Sequence, residues 1–378
     1  MNAINNNIKG FATLERILKL RGITWNFIKY NALQPFFTKP FLPKTLLIYV
    51  TYRCNARCIM CGIWKGNSFN DSHRELSPEE LSMILSDKLF SKVEHVNISG
   101  GEPTLREDLV ELIAVILKQF PRLKSISMVS NGLLTHRMTK VVEDILILCK
   151  RFNIPFSLSI SVHGVDDTLD RVYGIKGSFE RINETIGCLK ALQQDHRYAL
   201  NLNCVITKIN LENIPELIQW GKMVDLPITF ILGELRERFM NLDTASNIVI
   251  PKDKKDLLIK FLRTLSAKKS LFNHHAFRYK ALADMIEFNT ERDISCHYDI
   301  GGVILGSEGD IHYCPQSSSI GSCRERSAFD IYYDAKNIDY RINSVQRERC
   351  PFCPPLTFNK LELHKDMLKY LKFLVTNR

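Results

Sequence analysis

No apolar run in this chain of 378 residues reaches the eighteen or so needed to cross a membrane; runs such as 145–149 are far shorter. The start, Met1-Asn2-Ala3-Ile4-Asn5-Asn6-Asn7, is polar and lacks the apolar core of a secretory signal. Both absences lead to the expectation of a soluble, cytoplasmic protein. Thiols stay reduced there, so eleven cysteines, an odd number, do not read as a disulfide framework. Also missing are a dense basic block interleaved with aromatics and any recognisable nucleic-acid-binding module. A net charge of +10 therefore reads first as surplus surface lysine. The acidic partners to consider are a phosphorylated or nucleotide-linked substrate and an anionic lipid surface; no nucleic acid is expected.

What is present is enough apolar material, 45% of residues, to bury one large core and a smaller one. From residue 44 to 232, short β-rich runs alternate with longer stretches of helical period, the pattern of repeated βα units and a parallel sheet. Strands are expected at 46–51, 93–98, 125–129, 156–162, 199–206 and 228–232. Helices at 107–120, 138–152, 179–194 and 211–224 place apolar residues three or four apart and clad the outside. One more opens at Ser77 as N-cap, with Pro78 in its first turn and Glu80 completing a capping box. The fold class is thus α/β, a partial (βα)6 TIM-like barrel over 44–245. A helical connection follows over 246–295, with helices at 252–265 and 272–288.

Reactive groups in such barrels gather at the carboxyl ends of strands, and two motifs fall there. Cys54, Cys58 and Cys61 follow the first strand with C-x3-C-x2-C spacing. Such a loop can ligate three irons of a four-iron, four-sulfur cluster and leave the fourth iron open for chemistry. Ser99-Gly100-Gly101-Glu102-Pro103 follows the second strand. A zinc knot would need a fourth ligand, and the nearest candidate, His73, stands after a polar stretch without ligand-like spacing.

Together these motifs resemble the radical S-adenosylmethionine (radical SAM) superfamily. The resemblance implies that S-adenosylmethionine chelates the open iron and is cleaved to methionine and a 5′-deoxyadenosyl radical that takes hydrogen from an unactivated C–H bond. It assigns Gly100, Gly101 and Glu102 to the methionine end of the cofactor. Asn131 and Ser161 match ribose or carboxylate positions, and Arg171 is a carboxylate partner because guanidinium matches that group bidentately. Met60 stands beside the adenine where the family often has an aromatic, and His163 where many relatives carry aspartate. Reduced flavodoxin or ferredoxin is the expected electron donor.

The tail holds a second cysteine set. A hairpin at 303–313 can bring Cys296 and Cys314 to one site, and Cys350-Pro351-Phe352-Cys353 adds two thiolates. Four thiolates suit zinc or an iron-sulfur cluster. The pattern C-x12-G-x4-C, then a distant C-x2-C, resembles the twitch form of the SPASM domain, which implies an auxiliary four-iron cluster in a small domain over 296–378. Cys323 is left over, either inert or a catalytic hydrogen-atom donor; Cys149, Cys188 and Cys204 read as small buried hydrophobes.

Residues 1–43, with Arg16, Lys19, Trp25, Phe27, Phe36, Phe37 and Phe41, read as a helical extension packing on the barrel. The alternative is an interfacial element touching a membrane or a lipid-linked substrate. Functionally, the leading expectation is dehydrogenation or epimerisation of a polar small-molecule or sugar-like substrate. A peptide-modifying maturase is the alternative, and a non-catalytic metal-binding protein the remote one.

Overall fold

The computed structural model describes residues 24–33, 39–66, 75–269, 274–354 and 360–376. The expectations for Arg16, Lys19, Phe36, Phe37 and His73 lie outside the described residues. The chain divides into two compact units, one of residues 42–258 and 301–351, the other of 1–41, 259–300 and 352–378.

The larger unit is built on a nine-stranded sheet in the order β6-β5-β4-β3-β2-β1-β7-β8-β9. Its barrel strands are β1 Thr45–Tyr49, β2 His95–Ser99, β3 Ser125–Ser130, β4 Phe156–Ser161, β5 Ala199–Ile206 and β6 Ile228–Leu232. They pair parallel in sequence order, as expected of βα units. Strands β2 to β5 alternate buried positions, all apolar but Ser130, with more exposed positions that are mostly polar. On the polar side Ser127 Oγ donates to Asn97 Oδ1 at 2.5 Å, His95 Nδ1 meets Ser125 Oγ at 2.8 Å, and Asn201 Nδ2 donates to Ser157 Oγ at 3.3 Å. These pairings satisfy polar groups that would otherwise carry a desolvation cost. The apolar side meets the helices.

Those helices form where capping and period demand. Helix Pro78–Leu85 has the full capping box: Glu80 N donates to Ser77 Oγ at 3.2 Å and Ser77 N to Glu80 Oε2 at 2.9 Å. Such a cap stabilises by about 1 kcal/mol. Leu109–Gln119, Thr135–Arg151, Ser178–Leu192 and Ile214–Met223 lie within a few residues of their expected bounds. Among the helices with no counterpart in the sequence reading is Asp166–Tyr173, ended by Gly174 at φ +64°, a left-handed conformation that favours glycine.

The strand β7 Gly302–Leu305 pairs parallel to β1, with Thr45 opposite Gly302 and Ile48 opposite Leu305. All four residues of β7 are buried, the mark of a strand covered on both faces. The hairpin continues antiparallel through β8 Asp310–His312 and β9 Gly321–Ser322. The expected boundary between barrel and C-terminal module is therefore crossed by backbone hydrogen bonds, and 301–351 belong with the barrel.

In the second unit, helices His274–Phe288 and Met367–Val375 enclose a core of Ala276, Phe277, Ala281, Ile294, Tyr370 and Phe373. Asp366 accepts from Ser295 N at 2.6 Å and Ser295 Oγ at 2.9 Å. Tyr30 and Phe41 pack edge to face at 6.2 Å, with Ile300 in the same cluster. Among the described residues no helix is long and apolar enough to cross a membrane.

Candidate functional site

The loop carrying Cys54, Cys58 and Cys61 leaves β1 and is tied down on every side. Arg57 N donates to Tyr173 O at 2.9 Å and Ile59 N to Val172 O at 3.0 Å, so the C-terminal turn of Asp166–Tyr173 backs the loop. Gly62 N donates to Phe239 O at 2.7 Å, and Asn241 Nδ2 donates to Met60 O at 2.9 Å and to Glu234 O at 3.0 Å. A Cβ on Gly62 would collide with the Met240 carbonyl. The segment after β6 thus grips the loop from its other side.

The three cysteines are half-buried, and their thiols are close enough to influence one another. Burial pushes the Cys54 thiol up to about 11, against a lowering from the Ala56 N–H, and Cys61 adds to the rise. Cys58 is raised well above its usual value by burial and then by its two neighbours, and Cys61 is raised by burial. Without a cation these sulfurs stay protonated; iron would have to displace the protons, as thiolate ligation requires. Among the described residues no three His, Cys, Asp or Glu side chains close around the position of a single metal ion. Three sulfurs on one loop are a donor set for a multi-iron cluster, whose ligands stand further apart.

The second motif is locked to this loop. Gly101 N donates to Thr51 O at 2.7 Å and Glu102 N to Arg53 O at 2.8 Å. Gly100, at φ +146°, takes a backbone conformation that side chains disfavour. Glu102 is fully buried and accepts four hydrogen bonds, from Thr104 N at 3.1 Å, Thr104 Oγ1 at 2.6 Å, Ser130 Oγ at 2.8 Å and Asn131 N at 2.7 Å. Burial pushes its carboxyl above the usual range while the four donors oppose that rise. Asn131 in turn donates through Nδ2 to Asn55 Oδ1 at 2.7 Å and reaches Cys54 Sγ at 3.8 Å. Gly100, Gly101, Glu102 and Asn131 therefore stand together against the cysteine loop.

Ser161 enters through its carbonyl, which accepts from Tyr173 Oη at 2.5 Å. Tyr173 is fully buried, its hydroxyl also 3.4 Å from Asn131 O, and burial raises its pKa first, with Cys58 and Glu102 adding to the rise. Sequence reasoning gave Tyr173 no role; the only signal was its place in Arg171-Val172-Tyr173-Gly174. Arg171 is exposed on its helix. His163 is buried, its Nδ1 accepts from Val205 N at 3.1 Å, and burial lowers its pKa to about 3. It is a neutral strand-end acceptor.

Beside the cysteine loop lies a cavity of about 720 Å³ lined by Tyr52, Arg236, Arg238, Asp310, His312, Arg349 and others. Tyr52 Oη donates to Asp310 Oδ2 at 3.4 Å and accepts from Arg238 Nη2 at 3.4 Å, and His312 Nε2 meets the same Asp310 oxygen at 2.5 Å. The Arg238 guanidinium stacks 4.0 Å over the Tyr49 ring. Arg236 is buried and paired with Glu234. Sequence reasoning missed these arginines because they belong to no motif.

Of the second cysteine set, Cys314 and Cys350 fall in the larger unit, where burial first and then the neighbouring Cys350 push the Cys314 thiol up. Cys296 and Cys353 fall in the other unit, where Arg292 Nη1 donates to Cys353 O at 3.4 Å. Cys323 donates its N–H to Gly309 O at 2.7 Å, and its thiol is pushed up to about 12 by burial, with Asp87 and Asp310 adding. It is not among the residues lining the cavity. Cys149 and Cys204 are buried as expected, while Cys188 is half-buried.

Comparison with known proteins agrees with this geometry. Residues 48–221 match the family described as the radical SAM superfamily. A probable GTP 3′,8-cyclase of Methanocaldococcus jannaschii is 27% identical over 222 residues, 57% of this chain and 68% of that protein. A GTP 3′,8-cyclase of Limosilactobacillus fermentum is 26% identical over 53% of this chain and 60% of its own length. Among solved structures, Streptococcus suis SuiB bound to S-adenosylmethionine aligns with a TM-score of 0.54 at 17% identity, over 86% of this chain and 72% of that one. Native anSMEcpe with bound AdoMet and Kp18Cys peptide aligns with a TM-score of 0.51 at 16% identity, over 87% and 98%. At those identities the structural likeness concerns the fold.

Proposed function

We propose that this chain, of which residues 48–221 match the radical SAM superfamily, is an enzyme of that family that takes hydrogen from a C–H bond of a polar, sugar-like small molecule seated in the cavity beside the cysteine loop. When bound, a four-iron, four-sulfur cluster carrying S-adenosylmethionine supplies the one-electron chemistry that generates the abstracting radical. Cys54, Cys58 and Cys61 are the proposed cluster ligands. Gly100, Gly101 and Asn131 are proposed to face S-adenosylmethionine, with Met60 and Ser161 alongside; exposed Arg171 has the weakest case. Glu102 holds the turn and Asn131 in place through its four accepted hydrogen bonds.

The observation that carries the substrate class is the cavity. At about 720 Å³ it falls within the roughly 300–1,000 Å³ of small-ligand sites, and its Tyr52 lies two positions before Cys54. Most of its lining residues are polar or charged, Arg236, Arg238, Asp310 and His312 among them, while Ile63, Leu235 and Met240 keep much of the wall apolar, which suits a hydroxylated or anionic molecule with an apolar part. The named activity of the sequence relatives, on a nucleotide, is of the same small-molecule kind. The position of Cys323 away from the cavity lining favours oxidation over a hydrogen return by that thiol. The twitch resemblance is what implies an auxiliary cluster on Cys296, Cys314, Cys350 and Cys353, and such a cluster is the acceptor an oxidation would need. A peptide substrate is the second reading, favoured by exposed Met240, Leu242 and Val249 in the segment that grips the loop.

The test is iron content of anaerobically reconstituted protein beside the Cys54/Cys58/Cys61 triple alanine variant, with 5′-deoxyadenosine assayed after reduction. About eight irons falling to about four, with nucleoside formation lost, is expected. Retained nucleoside formation in the triple variant would overturn the assignment. Adding sugar-like or peptide candidates then separates the two substrate readings by which of them accelerates nucleoside release, and Cys323→Ala should leave that release unchanged.

A further inference from the structure

We propose that the outer face of helix Met367–Val375 is a docking surface for an anionic lipid bilayer. A surface helix of a soluble domain normally turns one apolar stripe inward and polar residues outward. This helix does the first through Tyr370 and Phe373, which are buried against Phe277 at ring separations of 5.6 and 5.4 Å. It does not do the second. Leu368 is 63% exposed, Leu371 47% and Val375 79%, at the spacing i, i+3, i+7 that lines one side of a helix.

Charge is sorted on the same segment. Its two carboxylates are turned inward: Glu362 is fully buried and accepts from His297 N at 3.1 Å, and Asp366 is buried on Ser295. Its exposed charges are Lys369 and Lys372, and the ion pair of Lys369 with Asp293 is solvent-exposed and therefore weak. The outer face thus presents three branched apolar side chains and two lysines. The helix itself adds no exposed acid, and Asp293, the exposed partner of Lys369, leaves Lys372 as the cation of this face that no acid is seen to pair among the described residues. A chain tied to this segment extends the pattern. Asn26 Nδ2 meets His364 Nδ1 at 3.0 Å and Asn31 Nδ2 donates to Lys365 O at 3.0 Å, and from that stretch Trp25 and Ile28 stand 59% and 41% exposed.

Apolar side chains that enter the headgroup boundary, lysines that meet lipid phosphates and an exposed tryptophan are the components of an interfacial helix. The charge complementarity selects an anionic bilayer: lysines attract a negatively charged leaflet, whereas a second copy of this chain would bring the same lysines against each other. None of its residues lines the cavity or belongs to the cysteine loop, so this proposal does not depend on the catalytic reading.

The full chain is sedimented with vesicles of phosphatidylcholine alone and of phosphatidylcholine mixed with phosphatidylserine. Binding to the mixed vesicles only, weakened by about 0.5 M salt through screening, is expected. Leu368→Ser/Leu371→Ser should weaken that binding by roughly tenfold or more while the melting temperature and 5′-deoxyadenosine formation stay at wild-type values. Lys372→Glu, at an exposed position, should weaken it by several fold and covers the case of the double variant failing to fold. Equal binding to both vesicle types, no binding to either, or a wild-type dimer that Leu368→Ser/Leu371→Ser converts to monomer would overturn the proposal, the last in favour of self-association.

Discussion

Replacing Glu102 by glutamine tests whether this buried carboxylate is the peg between the two motifs. Its Oε1 takes three donors, Thr104 N, Thr104 Oγ1 and Ser130 Oγ, and its Oε2 takes Asn131 N at 2.7 Å. Glutamine has the same shape but only one acceptor oxygen. With that oxygen in the Oε1 position, its amide N–H2 opposes the Asn131 N–H; flipped, it opposes three donors instead. The better choice still loses one charge-assisted bond, about 1.5–3 kcal/mol, and leaves a buried N–H unpaired, about 1–3 kcal/mol. Because these losses overlap, the expected cost is about 3 kcal/mol, or roughly 6 °C at about 2 °C per kcal/mol for a chain of this size. The assay is thermal and urea unfolding of the metal-free protein at neutral pH, followed by iron retention. Asn131 reaches Cys54 Sγ at 3.8 Å, so the cysteine loop should loosen together with the fold. A loss below about 1 kcal/mol would show that Asn131 is held by other contacts and would refute the reasoning.

Two further outcomes follow from the same packing. His163 is held neutral, with a folded pKa of about 3 set by burial against about 6.5 when unfolded. Between those values the unfolded chain carries the extra proton, so stability is lost as pH falls from about 6.5 towards 3, by up to about 1.4 kcal/mol per pH unit. His163→Asn keeps an acceptor for Val205 N–H and should flatten that slope by about one proton, read from urea midpoints across the acid range; an unchanged slope would move the titration elsewhere. Gly62→Ala drives a methyl group into the Met240 carbonyl and should cost about 1–3 kcal/mol. It should also reduce iron bound per chain and open the 239–241 segment to limited proteolysis, and full iron loading would show that the segment yields easily.

Much of the barrel was legible because its signals are short-range. Strands β5 and β6 have the bounds the β-rich runs indicated, and the Ser77 box formed because cap and carboxylate are three residues apart. The helix Asp166–Tyr173 was not legible: it is one short amphipathic turn pair without an N-cap hydrogen bond. Its role behind the cysteine loop depends on contacts across more than a hundred positions, between Arg57 and Tyr173.

The cysteine spacing, the Gly100-Gly101-Glu102-Pro103 turn and the alternating βα pattern are properties of neighbouring residues, so sequence by itself determined the three-cysteine loop, the turn beside it and the parallel sheet. Which strand closes the open edge of β1 was decided only in three dimensions. Parallel pairing leaves no mark in either strand beyond apolar residues suited to burial on both faces, and Gly302–Leu305 carries those equally well as half of a separate hairpin. Once that strand lies beside β1, its hairpin brings Asp310 to Tyr52, and the cavity wall follows from the pairing. A wall assembled from residues 258 positions apart has no local code, because it is the burial of β7, and not any motif, that holds it there.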